Sequence, residues 1–542
     1  MASLAAASPI RREASFGRLA EWLRTPAGAL AGLIAATLLA RLGFAWLLGL
    51  GIDESYMVAA GRHLQLSYFD HPPAAWWMAW TAAHLAGNDS PFVVRLPFVL
   101  LFCGTTWLMF ALTRRLFDAR AGFWAAVLLN LAPVFGITTA SWVLPDGPML
   151  AALLAAALCL AAALEPAKTA QSWRRWLGVG LCTGLALFSK YTAVLDVGGA
   201  VLFLLTTPGG RRWLRRPHPY VAGMLALLVF SPVLIWNARH GWMSLLFQGG
   251  RAAGGRWHPF GPLTTLAGQS LFLLPWIWAP MMLCLGLAVR DRLSAARPAD
   301  PRQWLLACLA LPAIVLFLLI SLRTRVLFHW ASPGYVMLLP LLGAQIAARI
   351  RVHPALRAAV GATACLALVG VVVAGTEVRF NWLPDVIEDF GLGHDPDMGA
   401  VDWTSLRQAL LRRGWLAHPG LIVATVRWHD AGKVDYALGG AAKVVCLGRD
   451  PREYGVIART GADAGQDMLI VAPRYTLRGI RARLGGSFQA IEPLPEVMLL
   501  HAGRPAMILP LYLGRDFSSG APLGHVQGPD QREAHATEQQ KR

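Results

Sequence analysis

Along most of the chain, long runs of apolar residues alternate with short basic clusters; only after about Gly375 does the pattern change to short β-rich stretches and brief amphipathic helices. A helix that crosses the hydrocarbon core of a bilayer needs about 20 apolar residues. Runs of that kind lie near 27–50, 92–112, 121–140, 147–164, 177–189, 192–206, 220–236, 264–289, 303–321, 331–348 and 356–375. The fifth and sixth are short and meet at Ser189–Lys190–Tyr191. Basic pairs flank them on both sides, Arg174–Arg175 before and Arg211–Arg212 after, so they read as a hairpin. Beyond Gly375, Leu421–Val426, Val444–Leu447, Met468–Val471 and Met498–Leu500 predict strands, and Trp403–Arg413 and Thr476–Leu484 predict helices. This alternation is the mark of a small α/β domain. The expected fold is thus an α-helical polytopic membrane protein of about 11 spans (11–13) with a long first external loop and a small C-terminal α/β domain. The expected divisions are an N-terminal segment 1–26, a membrane domain 27–375, an α/β domain 376–517 and a disordered polar tail 518–542.

Composition agrees with this pattern. Of 542 residues, 56% are hydrophobic and 15% charged, with a mean hydropathy of +0.47. Soluble domains carry about 25% charged residues, so a water-soluble enzyme is excluded. The net charge of +18 does not indicate nucleic-acid binding, because the basic residues punctuate the apolar runs instead of gathering on one domain. The loops on the N-terminal side of the spans hold 21 Lys and Arg, against 7 on the opposite side before the α/β domain. The positive-inside rule therefore puts the N-terminus in the cytoplasm and, with an odd number of spans, the C-terminal domain outside. The run near 27–50 is too long for a signal-peptide core and reads as a retained first span. The seven cysteines show no metal or redox spacing.

Candidate chemistry concentrates on the external side. The first loop opens on Asp53-Glu54-Ser55-Tyr56 and continues through Tyr68-Phe69-Asp70-His71-Pro72-Pro73 to the tryptophans at 76 and 77. Asp146 follows the third span, Lys190 sits at the hairpin tip, and Arg323, Arg325 and His329 follow the ninth span. Ionisable groups at membrane depth are costly and mark function by default, although each has a plain alternative: an interfacial acid reaching water, a snorkelling lysine, an arginine on lipid head groups. Together, carboxylates and cations on one face suit transfer of a group from a phosphate-bearing lipid. Cations hold the phosphate and a carboxylate takes a proton from the incoming hydroxyl. Trp236-Asn237 and the following Arg239-His240-Gly241-Trp242 and Phe247-Gln248 suit a sugar ring, or equally an interfacial aromatic belt. A transporter or flippase of a polyprenyl-linked lipid or sugar is the rival reading, and a structural assembly protein a third. The one-sided polar residues, the long aromatic loop and the lack of an inverted repeat weigh against the flippase.

These motifs have a familiar order. Asp53-Glu54-Ser55-Tyr56, Tyr68 to Pro73, Pro145-Asp146-Gly147-Pro148 and Gly184 to Tyr191 resemble glycosyltransferase family 39, the protein mannosyltransferase-like and aminoarabinose lipid A transferase-like enzymes. Pro232 to Asn237 and Phe328 to Tyr335 are similar to stretches of a bacterial branch, so the resemblance covers about residues 30 to 350. It implies a GT-C bundle in a bacterial inner membrane with its site on the periplasmic face. The donor would be a sugar on a polyprenyl phosphate, the acceptor an envelope lipid, glycan or protein, and the outcome inversion at the anomeric carbon. Asp53 matches the acidic residue regarded as base or acceptor-orienting group and Asp146 a second acidic position, with Glu54 beside them. Lys190, Arg323 and Arg325 would bind the donor phosphate, and Tyr56, Asp70, His71, Trp236 and Asn237 the substrates. His71 departs from the lipid A branch, which has lysine there. No cofactor is required by the sequence; a divalent metal on His71 with Asp70 or His258 is an option.

Overall fold

The computed structural model describes residues 21–22, 25–294, 299–380, 382, 401, 403–458, 460–501 and 503–518. Most of the expected N-terminal segment and tail lie outside these residues. The helices are α1 (Pro26–Leu47), α2 (Ile52–Ala60), α3 (Ala74–Ala86), α4 (Pro91–Leu116), α5 (Ala119–Leu131), α6 (Asp146–Leu164), α7 (Thr169–Ser189) and α8 (Val194–Thr206). They continue with α9 (His218–Arg239), α10 (Met243–Ala253), α11 (Gly261–Leu273), α12 (Pro275–Leu293), α13 (Pro301–Ser321), α14 (Ser332–Val336), α15 (Leu339–Arg349) and α16 (Pro354–Phe380). Helix starts follow capping chemistry. Thr25, Asp118, Asp300 and Ser90 precede the first residues of α1, α5, α13 and α4, and Thr25, Asp118 and Asp300 accept backbone N–H groups of the first turn.

By length and composition, α1, α4, α6, α9, α13 and α16 can each cross a membrane alone. Two more spans result if each bent pair counts as one: α11 with α12, bent by 115°, and Phe328–Val336 with α15, bent by 60°. Three expected runs are therefore interrupted, among them 331–348 at the 60° bend. The 264–289 run breaks at Leu274, which takes a left-handed φ of 70° immediately before Pro275. The 121–140 run ends its α-helix at Leu131 before Pro133 and continues as a π-helical stretch, Val134–Thr139. Gly136 is required in that stretch, since a Cβ there would lie 2.2 Å from the Asn130 carbonyl oxygen. Arg41 braces the same place, donating to Asn130 Oδ1 at 2.9 Å and to the Gly136 carbonyl at 3.1 Å. The bundle core is built from α4, α6 and α13, whose Met109, Leu150 and Leu306 are fully buried. By contrast, α16 leaves Leu366, Leu368, Val369 and Val372 exposed, an apolar face that acyl chains would cover.

The C-terminal part begins with α17 (Thr404–Arg412) and carries β1 (Ile422–Thr425), α18 (Trp428–Leu438), β2 (Lys443–Cys446), β3 (Met468–Val471), α19 (Leu477–Leu484), β4 (Phe488–His501) and β5 (Arg504–Phe517). The sheet order is β2-β1-β3-β5-β4, parallel among the first three strands and antiparallel beyond. The first three strands are the short apolar runs of the sequence. The fourth run is one end of a 14-residue strand, and β5 was not foreseen, because Pro493, Pro495, Pro505 and Pro510 interrupt the β pattern of this hairpin.

The two parts share a continuous apolar core in which Tyr56, Trp76 and Val143 meet Trp428, Tyr454 and Leu499. The closest approach is α18 against α2, where a Cβ on Gly432 would lie 2.7 Å from Tyr56 Cα. Lys433 caps the contact, donating from Nζ to the Leu50 carbonyl at 2.7 Å, and Arg62 pairs with Asp435 at 3.0 Å and Asp89 at 2.8 Å. Gly432→Ala should therefore cost about 1–3 kcal/mol through overpacking, despite the better helix propensity of alanine. Thermal unfolding in detergent against Gly223→Ala, whose Cβ meets nothing within 4 Å, checks this: the Gly432 variant should melt lower and the Gly223 variant should not.

Candidate active site

The site is organised around the first turn of α2. Gly51 enters it in an extended conformation, and its N–H donates to Glu54 Oε2 at 2.9 Å. Glu54 is buried and occupied on both oxygens. Oε1 accepts from Arg95 Nε at 2.8 Å and from the Val143 N–H at 3.1 Å, and Oε2 accepts from Arg95 Nη2 at 2.5 Å as well as from Gly51. Burial works against its charge, but Arg95 and the backbone donors outweigh it and hold the Glu54 carboxyl below the usual range. Arg95 also donates to the Leu48 and Gly49 carbonyls at 2.7 Å each, tying the end of α1 to the start of α2. Glu54, expected among the catalytic residues, is thus placed as a structural carboxylate with no oxygen left over.

The neighbouring Asp53 is the opposite case. Its side chain is exposed and makes no hydrogen bond or ion pair among the described residues. Surrounding protein nevertheless removes much of its solvation, which raises its pKa; Asp70, Glu54 and Asp146 add to the rise, and Arg452 opposes it. The other acids here are paired. Asp146 opens α6 and accepts two hydrogen bonds from Lys190 Nζ, both at 2.8 Å, with both side chains buried. Lys190 stands where α7 ends, in extended backbone (φ −155°, ψ 136°), at the break before α8. Asp70 Oδ2 pairs with Arg452 at 3.1 Å and Oδ1 accepts from the Tyr56 hydroxyl at 3.3 Å. His71 keeps its Nδ1 buried without a partner among the described residues. Burial lowers its pKa to about 4, with Lys190 and Arg251 contributing against the pull of Asp70 and Asp146, so the ring is neutral at physiological pH.

Asp53, Asp70, His71, Asp146, Lys190 and Tyr56 therefore converge. Trp236 is buried beside the first loop and donates from Nε1 to Gln65 Oε1 at 2.9 Å. Asn237 is wholly buried and spends its amide on Val233, Tyr191 and Leu245, which makes it a brace for the start of α10. Arg323 and Arg325 do not join the site. Both are exposed, and their side chains make no hydrogen bond or ion pair among the described residues. The turn that follows α13 carries them outward, and the cations that act on Asp53 and Asp70 are Arg251 and Arg452 instead. Among the described residues no group of three or more His, Cys, Asp and Glu side chains is close enough to hold a metal ion, so His71, Asp70 and His258 are not brought together as one.

Sequence reading missed the contribution of the α/β domain. Arg452 has a left-handed φ of 47° and lies over the Trp428 ring at 3.7 Å. Glu453, fully buried, accepts the Phe69 N–H at 2.7 Å and a bond from Gln65, while its own N–H donates to the Tyr56 hydroxyl at 3.1 Å. Burial, reinforced by Asp70, raises the Glu453 pKa to about 8. Gln248 of α10 donates to the Asp70 carbonyl at 2.6 Å, and Arg251 packs over Trp330 at 4.5 Å. The one signal in the sequence was the run of charges in Asp450-Pro451-Arg452-Glu453 directly after a short strand.

Comparison with known proteins adds to this geometry. The family model described as dolichyl-phosphate-mannose-protein mannosyltransferase matches residues 70–236. A lipid A galacturonosyltransferase, RgtD of Rhizobium johnstonii, is 24% identical over 294 residues; these are 53% of this chain and 58% of that relative, so the match spans little more than half of its length. Among solved structures, ArnT from Cupriavidus metallidurans bound to undecaprenyl phosphate superposes with a TM-score of 0.59 at 17% identity, covering 92% of this chain and 99% of that one. Its apo form gives 0.58 at 16%, covering 92% and 100%. By fold, the chain is similar to the ArnT GT-C membrane protein, and the family match over residues 70–236 and the similarity to RgtD point the same way.

Proposed function

We propose that the chain transfers a sugar from a polyprenyl-phosphate donor to a hydroxyl or phosphate of an envelope acceptor, with inversion, on the periplasmic side of the inner membrane. The N-terminus lies in the cytoplasm and the α/β domain outside. The observation that carries this reading is Asp53: an exposed carboxylate with no ion pair among the described residues, beside three acids, Glu54, Asp70 and Asp146, that each pair with a cation. A base must have an accessible oxygen and must be within reach of the proton it takes. Asp53 meets the first condition, whereas Glu54, Asp70 and Asp146 are engaged. Lys190, Arg251 and Arg452 are the cations available for the donor phosphate and for the charge that grows on it as the glycosidic bond breaks. That the ArnT structure holds undecaprenyl phosphate, and that RgtD is named for lipid A, supports a polyprenyl-linked donor and a glycolipid acceptor.

In the reaction the acceptor oxygen attacks the anomeric carbon from the face opposite the phosphate. Its proton passes to Asp53, the carbon–oxygen bond to the phosphate breaks, and polyprenyl phosphate leaves. Asp146 positions Lys190, and Glu54 with Arg95 positions Asp53 by fixing the turn of α2 that bears it. Tyr56, Asp70 and neutral His71 line the same place.

Asp53→Asn should fold normally and lose about 10²–10⁴ in kcat, read as release of polyprenyl phosphate from a radiolabelled donor when acceptor is present. Full activity in the folded variant would remove the base assignment; transport of intact donor without bond cleavage would favour a flippase. The pH profile is a second check. A base with a raised pKa shifts the acid limb above the ordinary carboxylate range, since Asp53 acts only when deprotonated. Glu453, whose folded pKa of about 8 exceeds its unfolded value, stabilises the docked domain in its protonated form, and that contribution is lost as pH rises through about 8. Activity should therefore fall on the alkaline side near pH 8 in the native protein, and Glu453→Gln should abolish that limb while leaving the acid limb in place.

A further inference from the structure

A cavity of about 610 Å³ lies between α12, α15, α16 and the end of α5. Ile277, Leu342 and Ile346, all buried, form its floor, and Leu283 of α12 and Leu366 of α16, both exposed, form its walls. The nitrogen- and oxygen-bearing side chains sit at its two ends. At the deep end Trp276 Nε1 donates to Thr363 Oγ1 at 2.9 Å, and Thr363 Oγ1 donates to the Ala359 carbonyl at 2.8 Å, so nothing there asks for a polar ligand. At the other end stand Gln345 and Arg349, both exposed, with Arg349 Nη1 donating to Gln345 Oε1. Along α16 the lining runs from Leu356 to Leu366. That is about 15 Å of helix, half of a hydrocarbon core of about 30 Å. The cavity is thus an apolar slot one leaflet deep with a guanidinium group at its mouth.

The mouth opens on the membrane face opposite the candidate active site. Helix α6 begins in that site at Asp146 and ends at Leu164, and the next residue, Glu165, pairs with Arg115 at 2.5 Å, close to the start of α5. A Cβ on Gly343 would lie 2.8 Å from the Ala121 carbonyl oxygen of α5, which brings the Arg349 end of α15 to the same face. Arg349, Arg351 and Arg357 are exposed at the turn between α15 and α16, and no Asp or Glu occurs from Leu339 to Thr376. The wall formed by α16 is loosely seated, with 6% of its apolar stretch buried. We propose that this slot holds one anionic phospholipid of that leaflet, with an acyl chain against Ile277 and Leu342 and the head-group phosphate at Arg349, and that the lipid helps to seat α16 on the bundle. Guanidinium groups bind phosphate through paired N–H donors, and three of them without a neighbouring acid on their own segment favour a head group of net negative charge. The tail of a polyprenyl-phosphate donor fits less well, because a phosphate held beside Lys190 starts in the other leaflet. The site does not depend on the transferase reading.

The test uses the full chain, delipidated in detergent and titrated with phosphatidylglycerol or phosphatidylcholine of the same acyl chains. Bound lipid is counted by native mass spectrometry, and melting is followed in parallel. The native protein should bind one phosphatidylglycerol roughly tenfold more tightly than phosphatidylcholine and melt higher with it. Arg349→Gln should reduce that preference about fivefold, the scale of one cation beside an anionic lipid. Ala362→Phe, which puts a ring into the slot, should lose the bound lipid and the melting shift, whereas Ala364→Phe, on α16 outside the lining, should keep both. Equal binding of the two lipids by the native protein, or the same loss in Ala364→Phe as in Ala362→Phe, would overturn the site. So would displacement of phosphatidylglycerol by equimolar polyprenyl phosphate, which would give the slot to the donor's tail, or a dimer that Ala362→Phe dissociates, which would give it to a second copy. If Ala362→Phe does not fold, the lipid preference of the native chain and its reduction in Arg349→Gln decide the matter.

Discussion

Glu54 and Arg95 form a buried ion pair on which the placement of the first turn of α2 depends. Arg95 reaches from α4 into α2 and gathers the Leu48 and Gly49 carbonyls as well as the carboxylate. A buried charge without partners is expensive, and removing one member of such a pair typically costs about 3–5 kcal/mol. This pair is saturated: two backbone N–H groups complete the carboxylate and two carbonyls complete the guanidinium. The end of the first span, the start of α2 and the loop before α6 thereby become one rigid unit. Asp53, one residue earlier on the same turn, inherits a fixed position without spending its own oxygens.

Charge balance then sets Asp53 apart from three of its neighbours. Glu54 answers Arg95, Asp146 answers Lys190, and Asp70 answers Arg452. Each match lowers the cost of carrying ionised groups in a poorly solvated place. A fourth carboxylate with no dedicated cation is destabilising, and the raised pKa of Asp53 records that. The same penalty makes a carboxylate a better proton acceptor, so the local instability is usable chemistry. Lys190 can also be shared. A phosphate entering beside it would compete with Asp146 for its three N–H donors, whereas Glu54 and Arg95 leave no such opening.

The membrane architecture was largely legible because apolar runs of bilayer length are a local signal. Asp53, Asp146 and Lys190 were legible for the same reason, each being a charge at the end of such a run. What local patterns cannot convey is pairing. Glu54 and Asp53 are adjacent acids at the start of one helix, and only the position of Arg95, 41 residues on, separates a structural carboxylate from a free one. Arg323 and Arg325 look as suitable for phosphate as Arg251 does, yet the turn after α13 points them elsewhere. Arg452 and Glu453 lie more than 380 residues from Asp70 and Phe69, and their approach depends on Gly432 letting α18 settle onto α2. Nothing in the periodicity of either segment encodes that contact.

In the proposed reaction, docking of the α/β domain also divides the labour of recognition. The spans contribute groups suited to a phosphate tethered in the bilayer: Lys190 behind Asp146, and Arg251 beside Trp330. The α/β domain contributes Arg452 directly. Under the proposed reaction, a donor carried by a lipid tail comes from the membrane side, so its phosphate meets the first set. An acceptor head group is bulkier and more polar, and it is best held by a surface in contact with water. Arg452 is the hinge between the two sets because it pairs with an acid of the first loop while resting on an aromatic ring of the other domain. The α/β domain thus reaches the first loop through Arg452, while Asp53 and the Glu54–Arg95 pair that fixes its turn belong to the bundle alone.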